Sequence, residues 1–393
     1  MEPCRPSAGI PMQNNSPKSM PNEGNVMFDY NEQIQAYEND CVNLPQAIKD
    51  KLRGHRDANR NRLKRNRPDE IRVGDDHFIP QGSMAINTTV QEEENAYDID
   101  DGVWFHAEDL KKEGGTEYTA KETQEMVCDA LNDPNFNQPP EIHNNCVRVF
   151  YAEGHHVDVP AYRKFDAGTE DERQELAGAD GFSASDPTEI NRWFEDRVEA
   201  LNKQRDGAGS QMRVMIRLLK RFARSRGGEW DMPNGLKLTM LVDECFPINY
   251  ERDDEAFYWT LAKLQARLVV SLEVENRAQT KWPKDKLTKT ASDSNMVELR
   301  KRVREAVSQL YVLHQSGCTK AKARAAWDWV FQSEGFFEAY DKDAGKAVAL
   351  YANSALVRAG VATIKPSGVI TAVGVSTGAA NLAHKFYGEF PDE

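Results

Sequence analysis

The sequence predicts an α+β protein, with a mixed sheet and its helices in the first part of the chain and a helical lobe in the second. Three observations carry that prediction. Downstream of a Gly-Ser turn at 82–83, Asp98 and Asp100 lie two apart in an apolar-flanked run, so on a strand both leave one face. Two further β-rich runs, 147–151 and 155–160, are joined by an Ala-Glu-Gly turn. Beyond Pro233-Asn234-Gly235, the stretches 236–280, 294–316, 318–340 and 343–360 are rich in Ala, Leu, Lys, Arg and Glu and read as helices.

Composition bounds the function. A chain of 393 residues is long enough for two packed lobes. Its net charge of -13 argues against a chain-wide nucleic-acid footprint, so no strong nucleic-acid binding is expected. Six cysteines are scattered without a CxxC pair, which indicates neither a zinc site nor a disulfide framework and fits a reducing cytoplasm. No apolar run approaches the ~20 residues that span a bilayer, and no membrane association is expected.

Taken in order, residues 1–26 are rich in Pro, Ser, Asn and Met without apolar periodicity and read as a flexible arm. From Pro45 to Arg65 the pattern is a basic helix with sparse apolar positions Ile48, Leu52 and Leu63. Its cations could form an RNA or activator surface, but a solvated helix bracing both lobes is the favoured reading. His77–Pro80 reads as a short strand delivering the Gly-Ser turn, and Met84–Val90 as the helix or turn behind it. Glu92, Glu93 and Glu94 read as a solvated loop, because three consecutive side chains cannot face one metal. Residues 120–131 predict a helix, 134–140 a loop, and the acidic, Gly-rich stretch 166–180 a mobile loop. Ser185-Asp186-Pro187-Thr188 reads as a helix start, with Ser185 as its N-cap. Residues 211–226 form an amphipathic helix with a cationic stripe of Arg213, Arg217, Lys220 and Arg224. Trp259, Trp327 and Trp329 read as core, and the Gly-, Ala-, Ser- and Thr-rich segment from residue 366 as a mobile tail.

The chemistry concentrates at residues 80–105. Gln81, Gly82 and Ser83 lie at a strand-to-helix turn whose backbone N–H groups and hydroxyl suit a triphosphate. Asp98 and Asp100 leave the same face of a strand, while Ile99 and Asp101 leave the other. Asp158, set between Val157 and Val159, is the third candidate carboxylate, the alternative being a strand-edge Asp paired with a neighbouring Arg or backbone N–H. Oxygen-rich sites of this kind suit two Mg²⁺ ions that activate a hydroxyl and stabilise a leaving pyrophosphate. His155 and His156 are set aside as metal ligands, because neighbours on a strand face opposite ways and no Cys or further His lies at zinc spacing.

Gln-Gly-Ser at 81–83, Asp-Ile-Asp-Asp-Gly at 98–102 and His-Val-Asp-Val-Pro-Ala-Tyr at 156–162 resemble, in that order, the bacterial CD-NTases. These are the cGAS/DncV-like nucleotidyltransferases of the polymerase-β superfamily, and the pattern is closest to DncV-type cyclic dinucleotide synthases of CBASS anti-phage systems. The resemblance continues through Ala184–Pro187, Trp193-Phe194 and Arg217–Lys220, covering roughly residues 70–245. It implies a polymerase-β-like nucleotidyltransferase core at 27–205, a helical lobe at 206–365, a tail at 366–393 and an active site in the cleft between the lobes. It implies Asp98, Asp100 and Asp158 as catalytic metal ligands for Mg²⁺, with Mn²⁺ as a substitute. Gln81, Gly82, Ser83, Met84, Arg148, Ser185 and Lys220 are then nucleotide-binding, although a cross-strand ion pair is as good a reading of Arg148 and an N-cap of Ser185. The expected activity joins ATP and GTP, or other NTPs, into a cyclic GMP-AMP type second messenger. Expected partners are a regulatory or activator protein and a downstream effector that receives the product. Two rivals remain open: a linear oligonucleotide or RNA-end nucleotidyltransferase, and a catalytically silent nucleotide-binding regulator.

Overall fold

The computed structural model describes residues 26–91, 97–112, 114–280, 283–364 and 370–372. The acidic cluster at 92–94, most of the N-terminal arm and most of the tail lie outside the described residues. The chain opens with α1 (Asn31–Tyr37), one π-helical turn (Glu38–Val42) and α2 (Gln46–Asn66). Next come β1 (Phe78–Gln81), the single turn α3 (Gly82–Ala85), β2 (Asp98–His106) and α4 (Ala120–Leu131). Six strands follow: β3 (Glu141–Ile142), β4 (Val147–Phe150), β5 (His156–Val159), β6 (Ala161–Phe165), β7 (Arg173–Gly178) and β8 (Gly181–Ala184). The remainder is helical: α5 (Glu189–Gln204), α6 (Ala208–Arg224), α7 (Gly235–Cys245), α8 (Asp253–Val270), α9 (Ser294–Leu310), α10 (Lys320–Phe331), α11 (Phe336–Lys342) and α12 (Ala344–Arg358). Last, β9 (Ala362–Ile364) pairs antiparallel with β10 (Ile370–Ala372), the second of which falls in the segment read as a tail.

The mixed sheet is built around β2. β1 runs antiparallel to it, while β5 and β6 run parallel in one register, with Asp98 opposite His156 and Val103 opposite Ala161. β5 and β6 are therefore two halves of one line interrupted at Pro160, whose carbonyl still accepts from Val103 N. β4 flanks the first half and β7 the second, both antiparallel.

Apolar side chains form two main packing groups. One joins the sheet to α2 and α4, through Leu52, Leu63, Phe105, Val127, Val149 and Val157. The other holds the helices from α5 onward together with residues 27–42, so Tyr30 and Tyr37 pack against Phe337. Trp327 is fully buried there, and Trp259 and Trp329 pack at its edge.

Several expectations need correction. The stretch 236–280 is two helices, because Pro247 follows α7 and residues 246–252 leave the helix. Gly335, at φ +83°, likewise separates α10 from α11. The stretch 166–180 is not a loop throughout: β7 and β8 form a hairpin, with Glu175 on β7 paired to Arg163 and Glu172, just before it, to Lys164. Ser185 is not an N-cap, since α5 begins at Glu189 and Asp186 accepts from the backbone and hydroxyl of Thr188. The basic helix α2 packs on α4 and β2, and its cations have partners within the chain: Lys51 with Glu153, Arg60 with Asp101, Arg62 with Asp133 and Lys64 with Asp75.

Candidate active site

Register places one residue from each of four strands in a single row. Gln81 faces Asp100, Asp100 faces Asp158 and Asp158 faces Arg148. Cross-strand partners share a face, so all four side chains leave one side of the sheet. Asp98 and His156 form the next pair on that side, two residues along, with His156 Nε2 3.1 Å from Asp98 Oδ1. On the other side, buried Asp101 takes a bidentate pair from Arg60, at 2.7 and 2.5 Å, which fastens α2 behind the row.

Asp98, His156 and Asp158 each bring a ligand atom within 4.8 Å of the others. This differs from the three-aspartate expectation. Asp100 lies in the row but turns its carboxylate toward the turn at Gly82, where a Cβ would stand 1.9 Å from Asp100 Oδ2. Burial, reinforced by the charges of Asp98 and Asp158, pushes the Asp100 carboxyl up to about 7. Asp158 is held by Arg148 through two bonds of 2.7 Å. His156 is the residue sequence reasoning missed. Its side chain lies on the Asp158 face because the two are separated by two positions, and setting it aside together with His155 obscured that parity.

The phosphate turn is tightly built. Gly82 sits at φ +67°, a region that favours glycine. Ser83 Oγ lies 2.9 Å from Thr89 Oγ1, and Thr88 N donates to Ser83 O. Gln81 Oε1 accepts from Tyr162 Oη at 3.1 Å. Met84 belongs to the same single helical turn. Behind it, three successive carbonyls are taken by the stripe on α6: Ile86 by Arg213, Asn87 by Arg217 and Thr88 by Lys220. That stripe is neither a solvated face nor an open phosphate clamp. Lys220 also donates to Thr88 Oγ1, and burial, with the Arg217 charge adding to it, lowers its ammonium to about 8. Arg217 bonds Glu38 at 2.5 Å, both side chains being buried. Ser185 lies apart from these contacts, its N–H donating to Gln174 O.

Residues 76–162, which contain the whole row, match the family described as cyclic GMP-AMP synthase DncV-like, nucleotidyltransferase domain. This stretch is a DncV-like nucleotidyltransferase domain. The fold agrees over a longer span. A crystal structure of the Vibrio cholerae DncV cyclic AMP-GMP synthase, a prokaryotic cGAS homologue, superposes with a TM-score of 0.58 at 16% identity, covering 77% of this chain and 96% of that one. The CD-NTase CdnG of Bradyrhizobium diazoefficiens, in complex with GTP, gives 0.56 at 15% identity, covering 83% and 98%. CdnC of Escherichia coli MS115-1, with ATP, gives 0.56 at 18%, covering 78% and 98%. The mixed sheet with a helical C-terminal region is thus the polymerase-β-like nucleotidyltransferase fold of the CD-NTases. Among the described residues, no helix is long and apolar enough to cross a membrane.

Proposed function

We propose that the chain joins nucleoside triphosphates, ATP and GTP first among them, into a cyclic nucleotide second messenger for anti-phage defence. The observation that carries this reading is the row Gln81–Asp100–Asp158–Arg148, beside the Asp98–His156 pair and the Gly82-Ser83 turn. Its carboxylates fit a hard divalent cation, Mg²⁺ or Mn²⁺, which takes oxygen ligands, while the His156 imidazole stands against Asp98. Bound there, such ions supply charge neutralisation on the phosphates and a lowered pKa for the attacking hydroxyl.

The protein residues do the rest. Asp98 and Asp158 would hold the cations, with His156 orienting Asp98 and Asp100 adding a carboxylate to the same row. Gln81, Gly82, Ser83 and Met84 bind the triphosphate, and Lys220 holds the Thr88 end of their loop in place. Arg148 balances Asp158 and stands in the same row to meet a phosphate of the acceptor nucleotide. Asp158 accepts the proton of the acceptor ribose hydroxyl, and attack on the α-phosphate expels pyrophosphate toward Ser83.

The decisive experiment is incubation with four labelled NTPs and Mg²⁺, phosphatase treatment and mass analysis. A phosphatase-resistant cyclic product is expected, and it should fall by roughly a thousandfold or more in Asp98→Asn and in Asp158→Asn. Only phosphatase-sensitive oligomers would establish the linear enzyme instead, and no pyrophosphate release would return the chain to a nucleotide-binding regulator.

A further inference from the structure

On the far side of the strand from His156, a second cluster of ligating side chains lies outside the candidate active site. His55, on α2, and Glu153 and His155, in and after the β4–β5 turn, bring ligand atoms within 4.8 Å of one another. His55 Nδ1 stands 2.6 Å from His155 Nε2. The two imidazoles are parallel within 7°, and the ring of Tyr151 is parallel to both, with centroids 4.0 Å from His55 and 5.0 Å from His155. Tyr151 Oη is itself fixed, 3.1 Å from His55 O and 3.0 Å from Asn59 Oδ1. Ligand rings whose orientation is set by neighbouring groups are the supporting frame a metal site needs.

We infer that His55, Glu153 and His155 form a site for a Zn²⁺-class divalent cation that ties α2 to the β4–β5 turn. Two imidazoles and a carboxylate are the donor set of three-ligand zinc sites, with water completing a tetrahedron. At Zn–N distances of about 2.0–2.1 Å, two tetrahedral nitrogens stand roughly 3.3 Å apart, so the two nitrogens separate by about 0.7 Å from their present 2.6 Å as the rings turn toward the ion. Each neutral ring can carry its proton on the nitrogen facing away, which leaves Nδ1 of His55 and Nε2 of His155 as donors without loss of a proton. Glu153 is engaged by Lys51 Nζ at 2.8 Å. Lys51 also donates to Ala359 O at 2.9 Å, so it keeps a partner when the carboxylate turns to a cation. The site bonds the end of the turn from which β5 departs, one residue before His156 and three before Asp158, so an ion here would hold that strand against α2.

The test separates this cluster from the Asp98–His156–Asp158 group, which can itself take a divalent ion. Metal-stripped Asp98→Asn/Asp158→Asn protein is titrated with ZnCl₂ against a chromophoric chelator, then compared with the same protein carrying His55→Gln, and separately Lys51→Met. One Zn²⁺ per chain is expected in the parent, and its affinity should fall at least tenfold with His55→Gln and rise with Lys51→Met, where a competing cation is removed. Zinc X-ray absorption of the parent should show two imidazole ligands. Equal affinity in the parent and His55→Gln, or no zinc retained by the parent, overturns the assignment. Circular dichroism of each variant verifies that a loss reflects the missing ligand and not an unfolded chain.

Discussion

Gly82 is the residue at which backbone and chemistry meet. Its φ of +67° and the Asp100 oxygen 1.9 Å from where a Cβ would stand leave room for hydrogen only. Gly82→Ala should therefore cost about 1–3 kcal/mol and lower turnover at least tenfold, as chemical denaturation and the product assay will show. Asp100 makes a second prediction. Its carboxyl titrates at about 7 in the folded protein against 3.8 ordinarily, so the folded state binds more protons between those values and stability falls as pH rises from about 4 to about 7. Asp100→Asn should remove that component, seen as a flatter melting temperature against pH in metal-free protein. Strand parity made the aspartates legible, since positions two apart share a face. The same parity would have found His156 from Asp158. The Arg148–Asp158 bond follows from β4–β5 register, which the sequence left open between an ion pair and a nucleotide contact.

At the scale of elements, α6 joins the two packing groups. Its apolar face lies in the helical group, while Arg213, Arg217 and Lys220 take the carbonyls at 86–88 that follow the phosphate turn. Arg217→Met leaves Glu38 buried without its cation and should destabilise the protein by about 3–5 kcal/mol. Lys203→Met, at an exposed pair, should change it by about 0.5 kcal/mol or less. Urea denaturation of the two variants distinguishes these outcomes. The periodicity of the stripe was readable at 213, 217, 220 and 224. Its burial was not, because backbone carbonyls have no sequence signature. β7 escaped notice for a related reason: Gln, Glu, Ala and Gly are poor strand formers, and the β6 residue Arg163 that pairs with Glu175 is set by strand register, which the sequence does not display.

The whole molecule reads as a sheet body and a helical body held by the contacts of α6, α5 and residues 38–42. Arg217 and Glu38 both belong to the helical body, so wild-type protein and Arg217→Met should each unfold in one calorimetric transition, the variant at a lower temperature; two transitions in the variant would show that this pair also couples the bodies. The mixed sheet followed by helices was visible in the changing hydrophobic period. The packing of residues 27–42 was not, since their partners lie at the far end of the chain and nothing local names them. That arrangement has a consequence for synthesis. Tyr37 must wait for Phe331, Phe336 and Phe337, close to 300 residues later, before its pocket exists. At about 5–20 residues per second this is a delay of roughly 15–60 s on the ribosome. The sheet body, whose apolar partners lie almost wholly between residues 44 and 182, can close while the segment ahead of it is still exposed. The first helix among the described residues is thus among the last to be buried, and a nascent-chain chaperone would find its target there.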